Sequence, residues 1–165
     1  MKKYEFTGET KEIRLLFRTA TLHRIRATVA FGIVEVGDLG GWIEKEENLS
    51  HEGKAWVCGD AKVWGNAKVW GNAEVWGNAK VFSASHVLVI GAIGSRNDFT
   101  TFYRDKDNEI TVKCGCFLGK IDRFLEKVTQ THGDSKYALV YRAAVEVAKL
   151  QIDLSGEAPK DADEE

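Results

Sequence analysis

The segment AKVWGNAKVWGNAEVWGNAKVF, residues 61–82, repeats one six-residue phrase almost without variation and sets Trp64, Trp70 and Trp76 at the same point of successive repeats. Extended outward, the period runs through Val57, Val63, Val69, Val75, Val81, Val87 and Ile93. Residues six apart are separated by roughly 600° on an α-helix and share no face, so the period excludes a helix. Between the aliphatics stand Ala61, Ala67, Ala73 and Ala79, and a Gly followed by Asp or Asn at Gly59, Gly65, Gly71 and Gly77. Gly and Asn adopt positive φ at little cost, so each repeat reads as a short strand closed by a turn. A chain that turns in one sense every six residues coils.

This pattern, from Val57 to about Asp98, resembles the hexapeptide-repeat family. The resemblance implies a left-handed parallel β-helix with three hexads per coil, which stacks Val57 on Val75, Val63 on Val81 and Val69 on Val87 at about 4.8 Å. In that arrangement Trp64, Trp70 and Trp76 lie on three different faces, in columns with Phe82, Leu88 and Cys58. A covered indole buries about 150–250 Å², so at least one of the three is expected at a subunit interface. The outward series Lys62, Lys68, Glu74, Lys80 and His86 is expected to form a solvated strip.

The flanks are read from their own patterns. Ile43 and Leu49 are six apart, but Leu49 to Val57 is eight, so two residues are inserted around HEGK, residues 51–54. Residues 22–31 look like a strand, and the glycine-rich turn at 36–44 surrounds an apolar Trp42 expected to plug the end of the coil. Downstream, FTTFY and EITVKCGCF read as a β-hairpin, with Ile110, Val112, Cys114 and Cys116 alternating on one face. Leu118, Ile121, Phe124, Leu125 and Val128 then fall at helical spacing, ending on Gly133, and Asp134 or Ser135 opens a second helix carrying Tyr137, Tyr141, Ala144 and Ala148. The expected fold class is mainly β, a short left-handed parallel β-helix with an N-terminal β cap and a C-terminal ββαα unit. The expected boundaries are 1–42 for the cap, 43–98 for the repeats, 99–153 for the hairpin and helices, and 154–165 for a disordered acidic tail.

Taken together, GDLGGWIEKEENLS, the AKVWGNAKV run, GSRNDFTTF and CGCF resemble a group of phage- and prophage-encoded hexapeptide-repeat proteins, labelled transferases or polymer-forming cytoskeletal-like proteins. The resemblance implies a homotrimer and transfers no catalytic residues.

Composition narrows the function classes. A net charge of −2 offers no general grip on extended nucleic acid or an anionic membrane, and no window approaches the roughly 20 apolar residues of a membrane span. Cys58, Cys114 and Cys116 cannot all pair with one another, and a cytoplasmic location is expected, in the host cytoplasm for a phage-encoded chain. Two enzymatic or metal chemistries are considered. Acyl transfer from CoA would need His51, His86 or His132 as general base, but the repeats carry no inserted loop to form an acceptor pocket. Cys114 and Cys116 with His86 or His132 could ligate a metal, yet C-x-C with no second pair is not a common zinc spacing, and core packing is the expected role. No cofactor is expected.

The remaining cluster lies where the repeat rhythm fails. Arg96, Asn97, Asp98, Thr100 and Thr101 supply charge, amide and hydroxyl groups, and Phe102 and Tyr103 supply stacking faces. That mixture suits a nucleotide-like or phosphorylated ligand, and it also suits a capping turn. The expected function is non-catalytic binding of a host small molecule, such as a nucleotide immune signal, with binding of a host protein and acyl transfer as alternatives.

Overall fold

The computed structural model describes residues 1–157, 159 and 161. An antiparallel hairpin of β1 (Tyr4–Arg14) and β2 (Thr19–Ala27) comes first, with a bulge between Phe6 and Thr10 where Gly8 takes φ 97°. β3 (Leu39–Ile43) pairs antiparallel with β2. The repeats then contribute four strands of two residues each, β4 (Trp56–Val57), β5 (Lys62–Val63), β6 (Glu74–Val75) and β7 (Lys80–Val81). These pair parallel, β3 with β5, β5 with β7, and β4 with β6.

The pairing register follows the sequence spacing. Val57 pairs with Val75 and Val63 with Val81, eighteen residues on, whereas Ile43 pairs with Val63 and Leu49 bridges to Val69, twenty residues on. The two residues inserted between Leu49 and Val57 account for the difference. Val57, Val63, Val69, Val75 and Val81 are fully buried, as are the intervening alanines Ala61, Ala67 and Ala73. The buried Lys3 closes the insertion from the N-terminal side by donating from Nζ to the carbonyl oxygens of Ala55 (2.6 Å), Glu52 and Gly53 (3.3 Å each). Desolvation holds its amine at a pKa of about 8.

The expected fold class is corrected by the strand and helix inventory. The chain is mixed α/β: its described residues form a five-stranded mixed sheet in the order β1-β2-β3-β5-β7, a two-stranded parallel sheet β4-β6, a four-stranded antiparallel sheet and two α-helices. It is not a mainly β parallel helix. A turn every six residues leaves only two extended residues per repeat, and the longer strands that carry the architecture are antiparallel and lie outside the repeats.

The antiparallel sheet runs β11-β10-β9-β8, formed by β8 (Val87–Ile93), β9 (Asp98–Arg104), β10 (Ile110–Cys114) and β11 (Phe117–Lys120). The hairpin read from FTTFY and EITVKC is present, with Arg104 opposite Ile110. Three details differ from expectation. Val87 and Ile93 keep the six-residue spacing but lie in β8, which pairs antiparallel with β9, so the sheet crosses the expected boundary at residue 98. Leu118 is in β11, which pairs with β10, and α1 begins only at Ile121 (Ile121–His132). Cys116 is exposed in the turn between β10 and β11 rather than continuing the apolar face.

Helix α2 (Lys136–Gln151) follows Ser135 and packs with α1 against the sheet through Phe102, Val112, Phe124, Tyr141 and Val145. Its end leads into the segment expected to be disordered. Among its described residues, Asp161 is buried, reaches Lys62 Nζ at 3.0 Å and bridges to Ile13, while Ser155 and Gly156 accept from Arg104. Residues 158, 160 and 162–165 lie outside the described residues. No described helix is long and apolar enough to cross a membrane.

Candidate ligand-binding cleft

Strand alternation divides the expected binding cluster between two faces of β9. Thr101 and Tyr103 face the repeats: Thr101 Oγ1 accepts from the Glu74 amide (3.0 Å), and Tyr103 Oη donates to the Trp76 carbonyl (2.9 Å) and accepts from its amide (3.3 Å). Desolvation raises the Tyr103 phenol well above its ordinary pKa. Thr100 and Phe102 face the helices: Thr100 Oγ1 donates to Cys114 Sγ at 3.3 Å, and Phe102 meets Phe124 edge-on. All four are buried, and Phe102 and Tyr103 are core residues, not stacking faces for a ligand. The polar atoms of this half of the cluster join the sheet to the repeats.

Arg96, Asn97 and Asp98 are different, because they are exposed where the turn after β8 enters β9, Asp98 being its first residue. The turn is shaped by Gly94, whose φ is 79° and where a Cβ would stand 1.9 Å from the Tyr141 hydroxyl. Only glycine lets α2 approach so closely. Asn97, at φ 47°, completes the reversal by donating its amide to the Gly94 carbonyl at 3.3 Å. Arg96 is thereby carried over the β10–β11 turn, 3.7 Å from where a Cβ on Gly115 would lie.

Between these two turns and the helices is a cleft of about 170 Å³. Arg96 lines it from the first turn, Cys114 to Phe117 from the second, Phe124, Lys127 and His132 from α1, and Tyr141 from α2. Arg96, Lys127 and His132 form no ion pair among the described residues, and Asp98 is the cleft's carboxylate. Tyr141 is stacked on His132, with ring centroids 5.7 Å apart and an interplanar angle of 25°. Burial, reinforced by the neighbouring Cys114, pushes its phenol up to about 12, so it stays protonated and able to donate. The cleft therefore offers cationic groups, a hydroxyl and one half-buried aromatic wall, Phe117, backed by the core ring of Phe124.

A second cleft of about 500 Å³ lies across the same turn, lined by Asn97, Asp98, Phe99, Thr101, Lys54 and Lys113 among others. Its central cation is engaged: Lys113 donates to the Gly115 carbonyl, approaches Glu74 at 3.7 Å and sits 5.1 Å from the Trp76 ring. Lys54, exposed at its rim, forms no ion pair among the described residues.

The histidines and tryptophans separate in the same way. His51 accepts from the Lys3 amide through Nδ1 and stacks on Tyr4 at 4.1 Å. His86 is buried, not part of a solvated strip: its Nδ1 accepts from the Phe82 amide (3.2 Å), and its Nε2 lies 3.3 Å from the buried Arg104 guanidinium. Lys62, expected on the same strip, is also buried. Of the three histidines only His132 lines the cleft, together with Cys114 and Cys116.

Trp64, expected at a subunit interface, is buried within its own chain beside Trp42, Ile13 and Leu22, and stacks on Phe82 at 4.9 Å. The column pairing of Trp64 with Phe82 holds, but the β1–β2 hairpin covers it. Trp76 is half-buried under Lys113, and Trp70 alone of the three is exposed, at 62%.

Lys127, Thr131 and Tyr141 were not legible as site residues, since helical periodicity assigns a side chain to the core face or the solvent face and not to the rim between them. The buried Arg104 was missed for a related reason: it follows FTTFY as the first residue of RDKDN, a charged run that reads as a solvated turn. A search of protein-family models finds no match to the chain, and a search of curated proteins finds none either.

Proposed function

We propose that the chain is a binding protein without catalytic chemistry of its own, and that the cleft beneath Arg96 receives the anionic end of a small nucleotide-like ligand. The observation that carries this reading is the convergence of Arg96, Lys127 and His132, none in an ion pair among the described residues, on a cleft walled by Phe117 and Phe124. A guanidinium gives a planar two-pronged grip on a phosphate, an ammonium adds a point charge, and the half-buried Phe117 suits a flat ring. Complete small-molecule sites occupy about 300–1,000 Å³. A cleft of about 170 Å³ therefore takes one end of a ligand, with the rest lying outside it.

The non-catalytic part of the reading is supported by His51 and His86. Both are engaged inside the fold, which leaves His132 as the one histidine of the three considered for acyl transfer that lines this cleft. Sequestration of a host nucleotide signal is the role that the family resemblance suggests for such a binder.

Isothermal titration with inorganic phosphate and a panel of linear and cyclic nucleotides tests the proposal. Binding is expected to weaken with added salt and to fall at least tenfold in Arg96→Ala and in Lys127→Ala. Absence of heat with every compound, or affinity unchanged in both variants, would refute it.

A further inference from the structure

The core-facing stripe of α2, with Ala138, Tyr141, Val145 and Ala148, accounts for one side of the helix. A second apolar stripe runs along the other side: Leu139 (61% exposed), Ala143, Val147 (48%) and Leu150 (89%). Their 4-4-3 spacing spans eleven residues, close to three turns, so the stripe is straight and about 16 Å long. A solvated helix face ordinarily carries polar residues at these positions. We infer that this face pairs with the same face of a second copy of the chain, the two α2 helices running antiparallel about a two-fold axis.

The choice of occupant rests on self-complementarity. Setting Leu139 against Leu150 of the second copy puts the axis between residues 144 and 145. The small Ala143 then faces Val147 of the second copy to within one residue, about 1.5 Å along the axis, and the reverse holds by symmetry. The same register brings Arg142 to within one residue of Glu146 of the second copy, twice over. Both charges lie on the same flank of the stripe, the arrangement in which antiparallel helices bring like flanks together. Among the described residues of one chain, Arg142 has the fully exposed Asp134 at 3.6 Å as its ion-pair partner while its guanidinium also donates to the Gly133 carbonyl (2.9 Å) and Thr129 Oγ1 (3.3 Å), and Glu146 meets Lys149 at 3.4 Å. Such surface pairs are readily exchanged. A parallel arrangement would instead put the two copies of this flank on opposite sides of the seam, where Arg142 and Glu146 of different copies do not meet.

Four apolar side chains per copy bury less than the roughly 800 Å² per partner of a standard interface, so the dimer is weak and concentration-dependent. Sedimentation velocity on the full chain from about 5 μM to about 500 μM is the test. Wild type is expected to shift from the monomer mass toward twice that mass. Leu150→Glu, which leaves circular dichroism unchanged because the side chain is exposed, stays monomeric. Glu146→Lys weakens association at least fivefold, and adding Arg142→Glu restores it. A wild-type monomer throughout, a trimer, or unchanged association in Leu150→Glu would each overturn the inference. A charge-swapped pair no better than Glu146→Lys would overturn the antiparallel register.

Discussion

Trp64 and Trp70 occupy equivalent places in consecutive, nearly identical hexads, yet one is 2% exposed and the other 62%. The difference is not in the repeat. Over Trp64 lies the β1–β2 hairpin, whose Ile13, Ala20 and Leu22 join Trp42 and Phe82 around the indole. Over Trp70 no described segment contributes such a layer. The repeat fixes which side chains point outward, and the flanking chain decides which of them become core. Trp76 shows the intermediate case, with the antiparallel sheet reaching it through Lys113 and Tyr103.

Substitutions can break this comparison. Trp64→Ala removes a fully packed indole and is expected to cost about 3–5 kcal/mol in urea unfolding, near the limit a chain of this size tolerates. An effect below about 1 kcal/mol would mean that the hairpin does not depend on Trp64. Trp70→Ala, at an exposed position, is expected within about 0.5 kcal/mol of wild type.

A pH dependence sharpens the contrast between the repeats and the sheet beside them. His86, where the repeat rhythm passes into β8, has its imidazole pKa lowered from 6.5 to about 4 by burial first and by the Arg104 guanidinium second. The neutral form is the one the fold accommodates. Below pH 6.5 the unfolded chain gains a proton there that the folded chain refuses until about pH 4. Its contribution to stability is thus complete above pH 6.5 and is lost as the pH falls toward 4. Melting temperatures measured across this range should decline, and His86→Gln should flatten the decline. An identical slope in the variant would assign the pH dependence to other groups.

Much of this was legible in the sequence where one local rule governed the outcome. The eighteen-residue pairing step is the one that the family resemblance implies rather than one the bare period dictates, the two-residue insertion lengthens it to twenty, and the β9–β10 hairpin follows from alternation about RDKDN. The period was misleading at its ends. Val87 and Ile93 satisfy it while belonging to an antiparallel sheet, because spacing fixes neither the direction of the partner strand nor where a series stops. β1 was missed since YEFTGETKEIR is mostly polar or charged, and of its eleven residues only Tyr4 and Ile13 are buried. In the site, Arg96 stands out where the repeat rhythm fails, whereas the alternation of EITVKCGCF assigns Cys114 and Cys116 to an apolar strand face and hides the turn. Lys127 and Tyr141 reach the cleft only through the packing of α1 and α2, which no single segment encodes.

Acrylamide quenching of tryptophan emission tests most directly the claim that flanking chain, rather than repeat position, sets burial. Trp70→Phe is expected to remove most of the readily quenched component, while Trp64→Phe leaves that component intact and lowers only the protected emission. If instead both variants lose the same accessible fraction, the two tryptophans are equally covered and the account fails.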